Sequence, residues 1–409
     1  MSISWDEQLK LLPSDILDDD EFGNSVDIHN NYAIVGARKK KVGFFAKAGV
    51  AYIYKKNDND EIWSEQSTLI TSDAASNDQG GHCVSIYGDY AAVGSMRETS
   101  NTGAIYIFKK DENDEWSQQQ KITASDKAES DQFGGALSLY ENYLVATSVQ
   151  NAFSSTVLYS GSAYIFKKDE NSETWSEVAK LLPSDSQANN KFGNSISMYG
   201  DFVAVGWKWY DPGSKGYHGS AIIFKNDGND TWSLTQKLTG SDTGQYHQFA
   251  MCIDMEGDYM VIGAPEPYPA GRKGQAYIFK KDENGVWSEQ QRIVPSDNAD
   301  NDLFGGNVAI SSKYILVSSP GDDDNSKSNS GSIYAFKKDD NSETWNQVEK
   351  ITASDAAAND YLGWGINSWY DNPDPPALSM FGNYAIAGAY KNDSKKGSAY
   401  IFKLTGDDN

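Results

Sequence analysis

One unit of roughly 58 residues runs through the chain seven times, and the copies at its two ends are incomplete in complementary ways. Each unit opens on a Phe-Gly-like pair: Phe22-Gly23, Gly80-Gly81, Phe133-Gly134, Phe192-Gly193, Phe249-Ala250, Phe304-Gly305 and Leu362-Gly363. Each unit's last segment opens on a tryptophan, at Trp5, Trp63, Trp116, Trp175, Trp232, Trp287 and Trp345. The first of these precedes the first Phe-Gly pair, whereas the last unit stops at Ala399–Lys403 with no tryptophan segment of its own. A repeat this short cannot bury its faces alone, so the units must stack. The missing segment predicts that Trp5–Leu12 completes the seventh unit, closing the array into a ring with no open sheet edge. An open solenoid leaves the two deficits unexplained.

Within a unit the apolar pattern has period two. Large residues (Val26, Val84, Leu137, Ile196, Ile253, Val308, Leu378) follow small ones (Ser25, Cys83, Ala136, Ser195, Cys252, Asn307, Ala377) in the first strand. A tight turn follows, such as Gly200-Asp201, and then a second strand such as Tyr259–Ala264. A loop of variable length leads to a third strand (Ala104–Lys110), and a polar turn leads to the tryptophan strand (Trp116–Ile122). The prediction is an all-β, seven-bladed β-propeller with four antiparallel strands per blade. It forms one domain over residues 1–409, in which strand 5–12 joins 362–403. Aromatic residues at 12% and 36 glycines suit many short strands and tight turns.

A net charge of −23 argues against nucleic acid and against anionic lipid as partners, because both repel an acidic surface. No apolar run approaches the roughly 20 residues of a membrane helix, so no membrane insertion is expected. Met1–Trp5 shows no leader pattern. Cys83 and Cys252 occupy the same position of two non-adjacent units and read as small buried residues, not as a disulfide.

The Phe-Gly opening and the Val-Gly-Ala or Ile-Gly-Ala end of the second strand resemble the FG-GAP repeat of integrin α-subunit head domains. A microbial subgroup with Gly-Asp-Tyr and Tyr-Ile-Phe segments is the nearer likeness. The resemblance implies a recognition or adhesion module, with an extracellular or cell-surface setting. Integrin-type repeats carry Asp-rich calcium loops between the first two strands. Tight turns such as Tyr199-Gly200-Asp201 stand there instead, so calcium binding of that type is not implied. The turn Asp282–Trp287 resembles a sialidase Asp-box with its glycine displaced by one. The few arginines, Arg38, Arg97, Arg272 and Arg292, do not supply the cluster such an enzyme needs.

Strand direction sorts the loops onto two faces. The fourth-to-first and second-to-third connections share the face called upper here. On it every unit carries a Ser-Asp, usually followed five residues on by a second acid or amide: Asp15/Asp20, Asp73/Asp78, Asp126/Asp131, Asp185/Asn190, Asp297/Asp302 and Asp355/Asp360, with His247 after Asp242. Such pairs shape loops through hydrogen bonds to backbone. Three upper loops break the repeat, and one of them, in the sixth unit, is acidic, with Asp322, Asp323 and Asp324. The fourth unit's loop holds Trp207, Trp209, Tyr210, Tyr217 and His218, and an insert in the seventh holds Trp364, Trp369, Tyr370 and Asp371. These residues are the predicted ligand site, exposed aromatics flanking the central mouth. The four histidines are scattered, and no nucleophile–base, metal or phosphate-binding pattern is present. The expectation is a non-enzymatic, monomeric module, without metal or cofactor, that binds a protein partner through the upper face. The alternative is a lectin that holds glycans with aromatic and Asp/Asn side chains.

Overall fold

A computed structural model of the chain describes residues 3–152, 159–185, 189–211, 216–266, 273–311, 313–365 and 375–406. Seven four-stranded antiparallel sheets surround one axis. Six are formed by consecutive strands. In the seventh, Ser4–Leu11 pairs with Ser398–Thr405, outside Tyr384–Ala389 and Leu378–Phe381. Trp5 stands opposite Leu404 and Lys10 opposite Tyr400, so the ring closes as the terminal deficits require.

The motif residues are the joints between blades. Trp5 is buried in a cluster that holds Tyr314, Leu316 and Ile333 of blade six with Leu378 and Tyr400 of blade seven. Its ring meets Tyr314 edge to face at 5.9 Å. The same contact recurs as Trp63–Tyr384, Trp116–Tyr32, Trp175–Tyr90, Trp232–Tyr143, Trp287–Phe202 and Trp345–Tyr259. Each fourth-strand tryptophan thus docks on the second strand of the preceding blade. The two motif glycines meet across the same seam. A Cβ on Gly388 would overlap the carbonyl of Gly23, and one on Gly36 the carbonyl of Gly81. The repeat therefore spells a close backbone approach between blades.

The fourth strands also latch the loop that enters their own blade. Glu7 accepts from Ser354 N–H and Oγ, both at 2.8 Å. Glu177 does the same for Ser125, and Glu289 for Ser241. Both cysteines are buried, and neither is in a disulfide.

Candidate functional site: the axial channel

The innermost strand of each blade has a sheet partner on one side only, so backbone N–H groups on its free edge need other acceptors. They find them in side chains of the neighbouring blade. Asp27, Ser85, Ser138, Ser197, Asp254, Ala309 and Ser379 share one register position in the seven inner strands. Asp27 accepts from Ile86 N–H at 2.8 Å, Ser85 Oγ from Leu139 N–H at 3.1 Å, and Ser138 Oγ from Met198 N–H at 3.2 Å. Ser197 Oγ accepts from Met255 N–H at 3.1 Å, and Asp254 from Ile310 N–H at 2.9 Å. Asp27 also receives the hydroxyls of Ser85 (3.0 Å) and Ser379 (2.7 Å). The result is a polar belt around an axial cavity of about 200 Å³.

Two carboxyl groups therefore face an enclosed channel. Burial pushes the Asp27 carboxyl above the usual range against the pull of its four hydrogen bonds. Burial also pushes Asp254 up to about 7, with the charges of Asp27 and Glu256 adding to the shift.

Two residues further down, the inner strands end in a collar. Phe381, His29, Tyr87, Tyr140 and Tyr199 form an arc over five consecutive blades. Successive centroids lie 4.6, 4.3, 5.4 and 5.1 Å apart, and every pair is tilted. Glu256 of blade five and Ser311 of blade six complete the circle. His29, the three tyrosines and Glu256 are half-buried, and Phe381 is 38% exposed. Burial lowers the pKa of His29, which keeps its imidazole neutral, and its Nδ1 accepts from Gly88 N–H at 3.1 Å. The collar thus offers aromatic faces and one carboxyl group at the lower mouth.

At the upper end, described residues of the seventh-blade insert border the channel. Val26 N–H donates to the Pro376 carbonyl at 2.9 Å, and Pro376 lines the top of the channel. Gly365 lies against Pro375 and Asn24. Trp364 is buried with Met251 and Tyr390.

The predicted site residues are distributed differently from the sequence reading. Trp207 is fully buried, Trp209 is 8% exposed and Trp364 2%, so none of the three is an exposed ring. Trp207 packs edge to face on Phe192 at 5.9 Å, where blades one, three, five and six place a third-strand tyrosine on the motif phenylalanine, as in Phe22–Tyr52 and Phe133–Tyr164. Blade four has Ile222 at that tyrosine's position, and the tryptophan fills the space. Tyr210 lies tilted on Trp207 at 4.7 Å, under the Lys237 ammonium. Tyr217 is 37% exposed, edge to face on Trp209 at 4.4 Å, and His218 is half-buried. The blade-four aromatics and Trp364 fall into separate clusters and do not meet at one mouth. Trp369, Tyr370 and Asp371 lie outside the described residues.

The Ser-Asp pairs act within the fold. The first aspartate receives a tyrosine hydroxyl and a lysine: Asp126 from Tyr164 (2.8 Å) and Lys180 (2.5 Å), Asp355 from Tyr400 (2.8 Å) and Lys10 (2.5 Å). The second accepts from the N–H three residues before it, as Asp131 does from Ala128 and Asp360 from Ala357. Asp322 of the sixth loop is buried and takes Tyr334, Ser332 and Lys350. In blade five, His247 Nδ1 lies 3.0 Å from Glu266, and Gln275 donates to that carboxylate at 2.9 Å. Among the described residues no group of three or more His, Cys, Asp or Glu side chains is placed to hold a metal ion.

Seven matches to the FG-GAP repeat model cover residues 5–54, 63–108, 116–166, 175–224, 232–279, 287–336 and 345–368. The chain belongs to the FG-GAP repeat family. No curated protein matches this FG-GAP chain by sequence. Its fold is similar to that of a Bacteroides uniformis protein assigned as a 6-phosphogluconolactonase, with TM-score 0.52 and 11% identity over 85% of this chain and 88% of that one. It is also similar to the periplasmic gluconolactonase PpgL of Pseudomonas aeruginosa, with TM-score 0.51 and 13% identity over 80% and 84%. A Bacteroides fragilis protein, likewise assigned as a 6-phosphogluconolactonase, gives TM-score 0.50 and 12% identity over 81% and 85%. These likenesses correct the expectation of a non-enzymatic chain, because propellers of this shape carry lactonase names. At such identities they show the fold alone.

Proposed function

We propose that this FG-GAP propeller holds a sugar-class ligand, a polyhydroxylated ring, at the lower mouth of its axial channel. The observation that carries the reading is the aromatic arc from Phe381 to Tyr199, interrupted by Glu256 and Ser311. Aromatic faces stack on the C–H face of a sugar ring, while a carboxylate and a hydroxyl in the gap orient its hydroxyl groups. The test is a glycan array followed by calorimetry on the hits. Saturable binding to one sugar class, weakened about tenfold or more by Tyr87→Ala with Tyr140→Ala, supports the reading. Silence on the array, or unchanged affinity in that variant, rejects it.

Hydrolysis of a sugar lactone is a second use of the same site, favoured by Asp254. A carboxyl group raised to about 7 still holds a proton near neutrality, and can give it to a carbonyl oxygen while water attacks. The neighbours named as gluconolactonases suggest the substrate to try. Acid release from gluconolactone that disappears in Asp254→Asn supports this use. Release at the uncatalysed rate removes it.

Docking of a protein partner through the upper face is supported by the Trp209–Tyr217 pair, with Tyr246 at 6.1 Å from Tyr217. Tyr217→Ala with Tyr246→Ala should abolish partner capture at an unchanged melting temperature. Undiminished capture removes the reading.

A further inference from the structure

In a chain of net charge −23, residues 38–47 contain five basic and no acidic side chains: Arg38, Lys39, Lys40, Lys41 and Lys47. They form the second-to-third loop of blade one, on the upper face. Arg38 and Lys39 pair with Glu21 at 2.7 and 2.6 Å, and Lys40 pairs with Asp15 and Asp20. Lys41 and Lys47 are exposed and have no ion-pair partner among the described residues.

Between these two lysines the chain makes a tight hairpin. Val42 and Phe45 exchange both backbone hydrogen bonds, at 3.0 and 2.9 Å, across Gly43 and Phe44. Gly43 takes a positive φ of 56°, as the first central position of such a two-residue turn demands. Phe44 is 98% exposed and Phe45 46%. The tip does not float. Val42 packs on the core between blades seven and one, and Gly49 N–H bonds to Lys40 O at 2.9 Å. Blade two holds the returning limb, with Asn77 N–H on Ala46 O (2.9 Å) and Gln79 N–H on Lys47 O (3.1 Å). Two aromatic rings are therefore presented to solvent on a rigid backbone, with a free cation on either side.

We infer that this hairpin is a docking point for an anionic lipid surface. A tip of two rings offers depth and little area, whereas a protein interface needs about 800 Å² from each partner. The headgroup–acyl boundary takes aromatic tips without shape complementarity, and lysines beside them find lipid phosphates and carboxylates. The acidic remainder of the molecule opposes approach only where it comes within a screening length of about 8 Å of the membrane. The contact is peripheral: among the described residues no helix is long and apolar enough to cross a membrane.

The experiment is co-sedimentation of the full chain with phosphatidylcholine vesicles, pure or containing about 30% phosphatidylserine. Binding to the mixed vesicles and not to the pure ones is expected. The bound-to-free ratio should fall about tenfold or more in Phe44→Ser with Phe45→Ser, and in Lys41→Glu with Lys47→Glu, with melting temperatures unchanged. Equal binding by wild type and variants, or no binding of the wild type to mixed vesicles, overturns the inference. A concentration-dependent dimer that the double phenylalanine variant abolishes, without vesicle binding, reassigns the tip to a second copy of the chain and overturns it equally.

Discussion

The Ile310 N–H of blade six donates to the Asp254 carboxyl of blade five at 2.9 Å. This bond joins two blades on the wall of an enclosed channel, and it couples ring integrity to a titration. The native pKa of Asp254, about 7, lies above the roughly 3.9 of an unfolded aspartate. The native state therefore holds the proton that the unfolded state has lost, and stability falls as pH rises from about 4 to 7, then levels. Asp254→Asn removes that fall while keeping an acceptor for Ile310. The variant should be more stable than wild type at pH 8, by about 2–4 kcal/mol at most, and closer to it at pH 5. Melting curves from pH 5 to 8 decide the matter; a constant gap between the two proteins speaks against it.

The upper loops titrate in the opposite sense. Burial alone would raise Asp126, but Lys180 and the Tyr164 hydroxyl outweigh it and hold its carboxyl below the usual range. Its stabilisation is present above the unfolded pKa and is lost as pH falls through the native one. Asp126→Asn should cost about 1 kcal/mol at pH 7, a modest figure because the pair is partly exposed, and less near pH 2. Denaturant titrations at the two pH values measure the difference, and an equal loss at both refutes it.

The paired glycines give a sharp contrast. Gly388→Ala places a methyl group on the Gly23 carbonyl, where backbone must move, and should cost about 3 kcal/mol or yield insoluble protein. At Gly382, in the lower turn with φ 57°, a methyl group meets open space, and alanine should cost only about 1 kcal/mol. Similar melting temperatures for the two variants would contradict the tight blade-to-blade approach.

Trp5 tests the closure. It is 3% exposed, and Trp5→Ala empties a pocket shared by blades six and seven, at a cost of about 3–5 kcal/mol. Removing residues 3–11 should do more, leaving Ser398–Thr405 as an open edge that recruits other chains. Light scattering on the truncated protein checks this. A monomer as stable as wild type would show that the strand is dispensable.

Closure and blade count were legible because each depends on a residue with a spatial duty that recurs at a fixed period: the tryptophan that docks on the preceding blade, and the glycines that let two backbones touch. The site was less legible. His29, Tyr87, Tyr140 and Tyr199 stand about one repeat apart, Phe381 lies about three repeats beyond them, and only the ring brings the five together. The signal was available, since each is the last residue before the lower turn. The upper tryptophans misled because they break the repeat. Trp207 breaks it to compensate for another irregularity, the Ile222 that replaces a core tyrosine, and that pairing shows only when two strands are read together. The basic hairpin was hidden by averaging, since a net charge says nothing about where five cations gather.

The pairing of Ser4–Leu11 with Ser398–Thr405 also sets a timetable. During synthesis the first strand is made long before its partner, and six blades can assemble while the seventh waits for nearly the whole chain to emerge. The last step of folding is then the slow capture of a distant segment. Until it happens, the newborn protein carries a naked β-edge beside the ribosome exit.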